Sequence, residues 1–395
     1  MKKRTLYLIN LVLAVSLILT ACIAKPPKCD DPLGCVVVPN RGSIKIAVLL
    51  TLSGPNSPYG TDALRGVEIA ISEKKEVFGH QIELVKVDDQ CTAEGGQKGA
   101  EQIAADPDIV GVIGATCSSA SVPAAKILTR AGKVLISPSS TAPSLTDSGT
   151  HQAGFFRTIY NDKAQGKSVA QFAFSVLGAR TMTTIHDGTP YSEELQATAC
   201  QDFEQMGGDC IGQIQIKSGE DMSAKLNWIQ KLDTDVLYYP VYTTDSVAIT
   251  NGAKEKGLKS ALISSDSSLS SDFLQLTSKT SEGIYLSGPA PAPESQPFAE
   301  KYKAIYGEYP VATYHLQAYD AALMLFTVIE QTAIPASSTN DSVFIPRQKL
   351  RNAIYAIHGV NGLSGPISCS SSGDCAAPEI EIFQIQSGKF VPIYP

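Results

Sequence analysis

The sequence predicts an α/β protein of two Rossmann-like lobes, each a mostly parallel sheet flanked by helices, and three observations carry that expectation. Short apolar runs alternate with segments whose apolar residues recur every three or four positions, the spacing of one helix face. The alternation runs through twice, from Ile44 to Ser137 and again from residue 164 to Leu286, with no long linker between the two series. At so short a period it requires right-handed βαβ crossovers and hence parallel strands. Composition agrees: 395 residues, 43% hydrophobic and 18% charged, exclude a disordered chain or a coiled coil and allow two or three domains.

The chain opens as an export signal. Lys2-Lys3-Arg4 forms a positive n-region, and Leu6 to Thr20 is an apolar h-region, shorter than the roughly 20 residues of a membrane span. It ends in Leu19-Thr20-Ala21-Cys22, which resembles the bacterial lipobox, where the cysteine is acylated and becomes the mature N-terminus. The other reading of Cys22 is a buried cysteine in an N-terminal anchor helix. Residues 1–21 are thus expected to be a lipoprotein signal peptide and 22–42 a lipidated cysteine with a Pro-rich linker (Pro26, Pro27, Pro32, Pro39). Fully extended, some twenty residues reach at most about 65–70 Å, enough for a tether. The expected location is extracytoplasmic, lipid-anchored to a bacterial membrane at the cell surface or in the periplasm. Removing the leader leaves 29 basic against 39 acidic residues, net −10, with no basic cluster to collect phosphates; nucleic acid is excluded as a partner.

The elements follow in order. Ile44 to Leu50 is a buried strand, followed by a Gly/Pro/Ser loop (Ser53 to Gly60) and a helix with Ala63, Val67, Ala70 and Ile71 on one face. Strands Ile82–Val87, Ile109–Ile113 and Val134–Ser137 alternate with helices Glu94–Ala105 and Ser118–Thr129. In the second series, helices 164–177, 191–206, 222–231, 245–256 and 270–278 alternate with strands Thr181–Ile185, Ile211–Ile216, Val236–Tyr239, Ala261–Ser264 and Ile284–Leu286. After Pro289-Ala-Pro-Ala-Pro293 come helices 296–306, 314–330 and 346–357, a Gly-rich crossing from Gly359 to Gly365 and a terminal strand, Glu379–Ile385. Two such units suggest lobes facing a cleft.

Nine cysteines are an odd number for an exported chain, and a lipidated Cys22 leaves eight. Eight allow 105 connectivities. An oxidising compartment and the spacings suggest local pairs: Cys29–Cys35, Cys91–Cys117, Cys200–Cys210 and Cys369–Cys375. No C-x2-C occurs and the five histidines are scattered, so no metal site is expected.

Enzyme signatures are missing: no H-E-x-x-H, G-x-S-x-G, P-loop or G-x-G-x-x-G after a strand. Pro55 and Pro58 remove two backbone donors that a phosphate cradle at Gly54–Gly60 would need. His186-Asp187 lacks a serine elbow and reads as strand-end polar chemistry at a helix entry. The informative residues stand at the carboxyl ends of predicted strands, where open α/β sheets bind ligands. Ser118 and its neighbours open a helix whose N–H groups and hydroxyls suit a carboxylate. Ser137-Pro138-Ser139-Ser140-Thr141 is dense in small donors and acceptors. Taken singly these are N-cap and turn chemistry; together, on neighbouring strands, they suggest a site. In the second series Tyr191, Tyr242 and Asp266 hold the same positions, a carboxylate for an ammonium and rings for an apolar or cationic group.

Several of these pieces, in order, resemble the periplasmic branched-chain amino-acid-binding proteins, solute receptors of ABC transporters with the type I two-lobed fold. They are Ser53-Gly-Pro with Tyr59-Gly60, Asp88-Asp-Gln-Cys91, Val112-Ile-Gly with Cys117-Ser-Ser119, Ile136-Ser-Pro-Ser-Ser-Thr141, Phe156-Arg-Thr158, Ile185-His-Asp187 with Tyr191, and Tyr238-Tyr239 with Tyr242. The resemblance implies a multi-strand hinge, with lobe 1 at 43–159 plus 289–364 and lobe 2 at 160–288 plus 365–395. It implies that Ser118 binds an α-carboxylate, Thr141 contacts carboxylate and ammonium, and the Ser139 carbonyl and Asp266 receive the ammonium. Tyr59, Tyr191 and Tyr242 would line the pocket, and Cys91 and Cys117 match the family's first-lobe disulfide. Asp266 replaces the family's usual Glu, and Ser139 and Ser140 its Gly or Ala; a shorter carboxylate and two extra hydroxyls would change which ligand fits, and Ser140 stands with the others in the expected ligand set. The function implied is a monomeric, non-enzymatic receptor without a cofactor. It would deliver a branched-chain or small neutral amino acid to an ABC permease. Two alternatives remain: a sensory lipoprotein acting on a receptor or channel, and a lipoprotein hydrolase.

Overall fold

The computed structural model describes residues 28–336 and 341–395. The signal segment and Cys22 lie outside the described residues. Two sheets divide the molecule. The first runs in the order Glu76–Val77, His80–Asp88, Ile44–Leu50, Ile109–Gly114, Val134–Ser137, Phe155–Arg157, parallel throughout except for its first, two-residue strand. Ile44, Ile46, Val48 and Leu50 enter the core on one face and Ala47 and Leu49 the core on the other. Burial on both faces is why this strand reads as a continuous apolar run and not as an alternating one.

The second sheet runs Lys389–Tyr394, Ile380–Gln386, Tyr285–Pro289, Ala261–Ser264, Val236–Tyr238, Thr181–His186, Asp209–Gln215. Its inner strands are parallel, and the C-terminal hairpin adds antiparallel to one edge. Val236 and Tyr238 face one core cluster and Leu237 and Tyr239 the other, repeating the logic of the first lobe. The expected terminal strand is present as Ile380–Gln386; its partner, Lys389–Tyr394, was not anticipated.

The expected tether is partly folded. Cys35–Val38 pairs antiparallel with Val343–Pro346, with Val36 and Val38 buried in the first lobe's core. Within the loop closed by Cys29–Cys35, the Asp31 carboxylate accepts the Gln348 and Lys349 N–H groups and so caps helix Arg347–Tyr355. The three other expected disulfides are also formed: Cys91–Cys117, Cys200–Cys210 and Cys369–Cys375. Residues 365–377 lean on the first lobe: Arg157 N–H donates to the Gly373 carbonyl, and Ile367, Cys369 and Cys375 join that lobe's core. The last passage between lobes therefore falls near Glu379 and not at residue 365. Among the described residues no helix is long and apolar enough to cross a membrane.

Candidate functional site

Helix Ser118–Arg130 starts directly after strand Ile109–Gly114, and its N-cap, Cys117, supplies no side-chain cap. The first-turn N–H groups thus depend on something other than a cap. Ser118 is buried at the start; its Oγ accepts the Ala142 N–H at 3.2 Å, leaving the hydroxyl hydrogen to donate. The loop before the helix is held by buried Asp89, whose carboxylate accepts from Thr51 Oγ1 (2.5 Å), the Cys91 N–H (2.8 Å) and the Thr116 N–H (2.8 Å). Burial pushes the Asp89 carboxyl up to about 6 despite those three donors.

The next loop, 137–142, is pinned from behind by Arg157. Its guanidinium is wholly buried and donates to the Ser140 and Ala142 carbonyls, to Thr146 Oγ1 and to Asp374. Ser139 Oγ donates to the Thr116 carbonyl at 2.7 Å, which ties the two loops together. Ser140 turns the other way: its hydroxyl reaches the Ala115 and Thr116 carbonyls and Ser121 Oγ, all inside the lobe. Thr141 is fully buried, and its hydroxyl oxygen has no hydrogen-bond partner among the described residues.

From the second lobe, the turn Asp266–Ser268 after strand Ala261–Ser264 presents a buried carboxylate. Asp266 Oδ1 accepts from the Tyr191 hydroxyl (2.7 Å) and Gln165 Nε2 (3.0 Å), and Oδ2 from the Tyr314 hydroxyl (2.9 Å). All three partners are neutral. Tyr191 opens helix Pro190–Gln205 next to the Thr189 cap, and Tyr242 is the N-cap of helix Thr243–Glu255. His186 and Asp187 do capping work: Asp187 Oδ1 accepts the Thr189 N–H and hydroxyl in an Asx turn.

These groups meet at one small cavity between the lobes. The first lobe lines it with Tyr59, Thr116, Cys117, Ser118, Ser139 and Tyr314, and the second with Tyr191, Tyr242, Asp266 and Ser267. Six of the eight expected residues are therefore brought together, while Ser140 and Thr141 do not line the space. Tyr314, Thr116 and Ser267 were not anticipated. Thr116 and Ser267 each sit beside an anticipated residue at a strand end. Tyr314 lies in the connection before helix His315–Thr332, where no strand-end signal exists. Its place follows from Gly66: a side chain there would meet the His315 carbonyl at 2.1 Å, so helix Ser57–Lys74 packs directly on the start of helix His315–Thr332. That approach sets the Tyr59 and Tyr314 rings 5.9 Å apart, edge to face.

The lobes are closed on each other. The Tyr59 hydroxyl donates to the Ser267 carbonyl at 2.7 Å and lies 2.6 Å from Thr243 Oγ1. Burial raises Tyr59 to about 12, which keeps the phenol protonated and able to donate. Ser144 donates from both its N–H and hydroxyl to the Glu194 carboxylate, at 2.8 and 2.6 Å.

A pair of α/β lobes shut over a small polar chamber is the build of a solute receptor. The chain belongs to the periplasmic binding protein family, whose model matches residues 43–389. That family binds solutes outside the cytoplasm and carries out no reaction. The chain is 26% identical to the Leu/Ile/Val-binding protein of Citrobacter freundii, over 86% of this chain and 90% of that one. It is 28% identical to the Leu/Ile/Val/Thr-binding protein of Salmonella typhimurium at the same coverage. The solved leucine-binding protein of Thermotoga maritima superposes with a TM-score of 0.79 at 25% identity, covering 89% of this chain and 97% of that one.

Proposed function

We propose that this protein is a lipid-anchored receptor that captures a small or branched neutral amino acid by lobe closure and passes it to an ABC permease, acting as a monomer. One observation carries the reading. A buried carboxylate with only neutral partners, Asp266, shares a closed cavity with an uncapped helix start at Ser118. An α-amino acid presents the opposite charges: its ammonium to Asp266 and its carboxylate to Ser118 and the helix N–H groups. The Ser139 hydroxyl is already engaged, so its carbonyl is the group left for the ammonium. Thr141, with a buried hydroxyl unpartnered two residues on, stays in the proposed set. Tyr59, Tyr191 and Tyr242 cover the ligand. Ser140, facing inward, supports the loop. Calorimetric titration of the ligand-stripped protein with the twenty amino acids tests the reading, and silence from all of them would refute it.

The anchor rests on Leu19-Thr20-Ala21-Cys22. Cys22→Ala is expected to leave the protein unprocessed or released from the membrane fraction while ligand binding persists. A variant that is processed and membrane-bound like the wild type would refute the lipid anchor.

A further inference from the structure

The closed chamber and its neighbour differ in size and in chemistry. The chamber between Ser118 and Asp266 has a volume of about 20 Å3, and of its ten lining residues four are tyrosines and none is Val, Leu, Ile, Met or Phe. Beside it, still between the lobes, lies a cavity of about 540 Å3 with Leu269, Leu316, Phe383 and Phe390 in its walls. Tyr314 stands at the partition. Its own side chain lines the small chamber, whereas Thr313, His315 and Leu316 line the large cavity. On the opposite lobe, Asp266 and Ser267 face the chamber and Leu269 the large cavity. The residue is held at both ends: the Tyr314 hydroxyl donates to Asp266 Oδ2, and its backbone N–H to Asp62 Oδ2 at 2.9 Å.

We propose that the receptor selects an amino acid with a short or hydroxyl-bearing side chain, and that Tyr314 sets this limit by walling the ligand chamber off from the apolar cavity. The inference rests on the amino-acid reading of the cleft. A branched or aromatic side chain finds little room in a chamber of about 20 Å3 walled by four tyrosine rings and by the hydroxyls of Ser118, Ser139, Ser267 and Thr116, each already held by a protein partner. With the ring in place, the apolar surface that would suit a larger side chain lies on the wrong side of Tyr314.

The test is calorimetric titration of wild type, Tyr314→Phe and Tyr314→Ala with alanine, serine, threonine, leucine and phenylalanine. Wild type is expected to bind one of the first three at least tenfold tighter than leucine or phenylalanine. Tyr314→Phe, which keeps the wall and loses the hydroxyl, should weaken all ligands but preserve their order. Tyr314→Ala should shift the ratio at least tenfold toward leucine or phenylalanine, whatever happens to absolute affinity. Wild type that binds leucine as tightly as alanine, or an order unchanged in Tyr314→Ala, overturns the inference while leaving the amino-acid receptor intact. A folded wild type that binds none of the twenty amino acids overturns the receptor reading itself, and this inference with it.

Discussion

Asp266 concentrates the chemistry of the cleft in one side chain, because its partners Tyr191, Gln165 and Tyr314 contribute hydrogen bonds but no charge. Asp266→Asn keeps the shape and removes the charge. If the carboxylate faces an ammonium, affinity falls by about 2–5 kcal/mol, largely through faster dissociation. Ser118→Ala leaves the backbone N–H groups in place and should cost less, roughly 1–3 kcal/mol. Exposed Asp272 provides the control in Asp272→Asn, which should change little. An Asp266→Asn affinity within about twofold of wild type (~0.4 kcal/mol) would make the carboxylate a structural group. At this scale the sequence was readable where a residue follows a parallel strand, since such positions must open on the cleft: Ser118, Ser139 and Asp266 are examples. It misdirected at Ser140, because successive residues of a tight loop point to opposite sides and only packing decides which faces the ligand. Tyr314 was hidden for another reason. It reaches the chamber through helix packing at Gly66, a contact between segments about 250 positions apart.

Among the elements, the loop between strand Ile109–Gly114 and helix Ser118–Arg130 owes its position to Asp89, and that dependence is titratable. Burial raises the Asp89 carboxyl from its ordinary value to about 6, so the folded state holds this proton more tightly than the unfolded chain does. The contribution is therefore fully present below the unfolded pKa and is lost as pH rises through about 6. Compared with Asp89→Asn, which has no proton to lose, wild type should give up roughly 3 kcal/mol between about pH 3 and pH 7. Denaturant melts of both proteins across that range check this, and parallel pH profiles would show that Asp89 ionises as easily folded as unfolded. Buried parallel strands such as Ile44–Leu50 were legible because two covered faces force an unbroken apolar run. Cys35–Val38 and Val343–Pro346 were not, being four-residue strands whose partners lie some 300 positions apart. Neither length nor pattern marks them locally, and the prolines around Cys35 suggested a tether.

At the scale of the whole molecule, function depends on how firmly the lobes close. Contacts that cross between the lobes include Tyr59 to Ser267 and Thr243, Tyr314 to Asp266, Ser144 to Glu194 and, nearer the hinge, Lys163 to Asp147. The Tyr59 and Tyr314 contacts involve residues that line the chamber, so their variants would mix ligand contact with closure. Glu194 lines no part of it, which separates the two effects. A ligand that binds only the closed, folded form should stabilise it by roughly 2.7 kcal/mol at 100 times Kd. Glu194→Ala removes both Ser144 hydrogen bonds from the closed state, each to a charged acceptor. That should open the lobes more readily and speed ligand release by tenfold or more, about 1.4 kcal/mol or above. Because the chamber is untouched, the ranking of amino acids should stay as in wild type, while the thermal shift at a fixed ligand concentration shrinks. Stopped-flow dissociation and melting curves read the two quantities independently. Unchanged release would mean that the Ser144–Glu194 pair contributes nothing to holding the cleft shut. A changed ranking would mean that Glu194 acts on the ligand and not on closure.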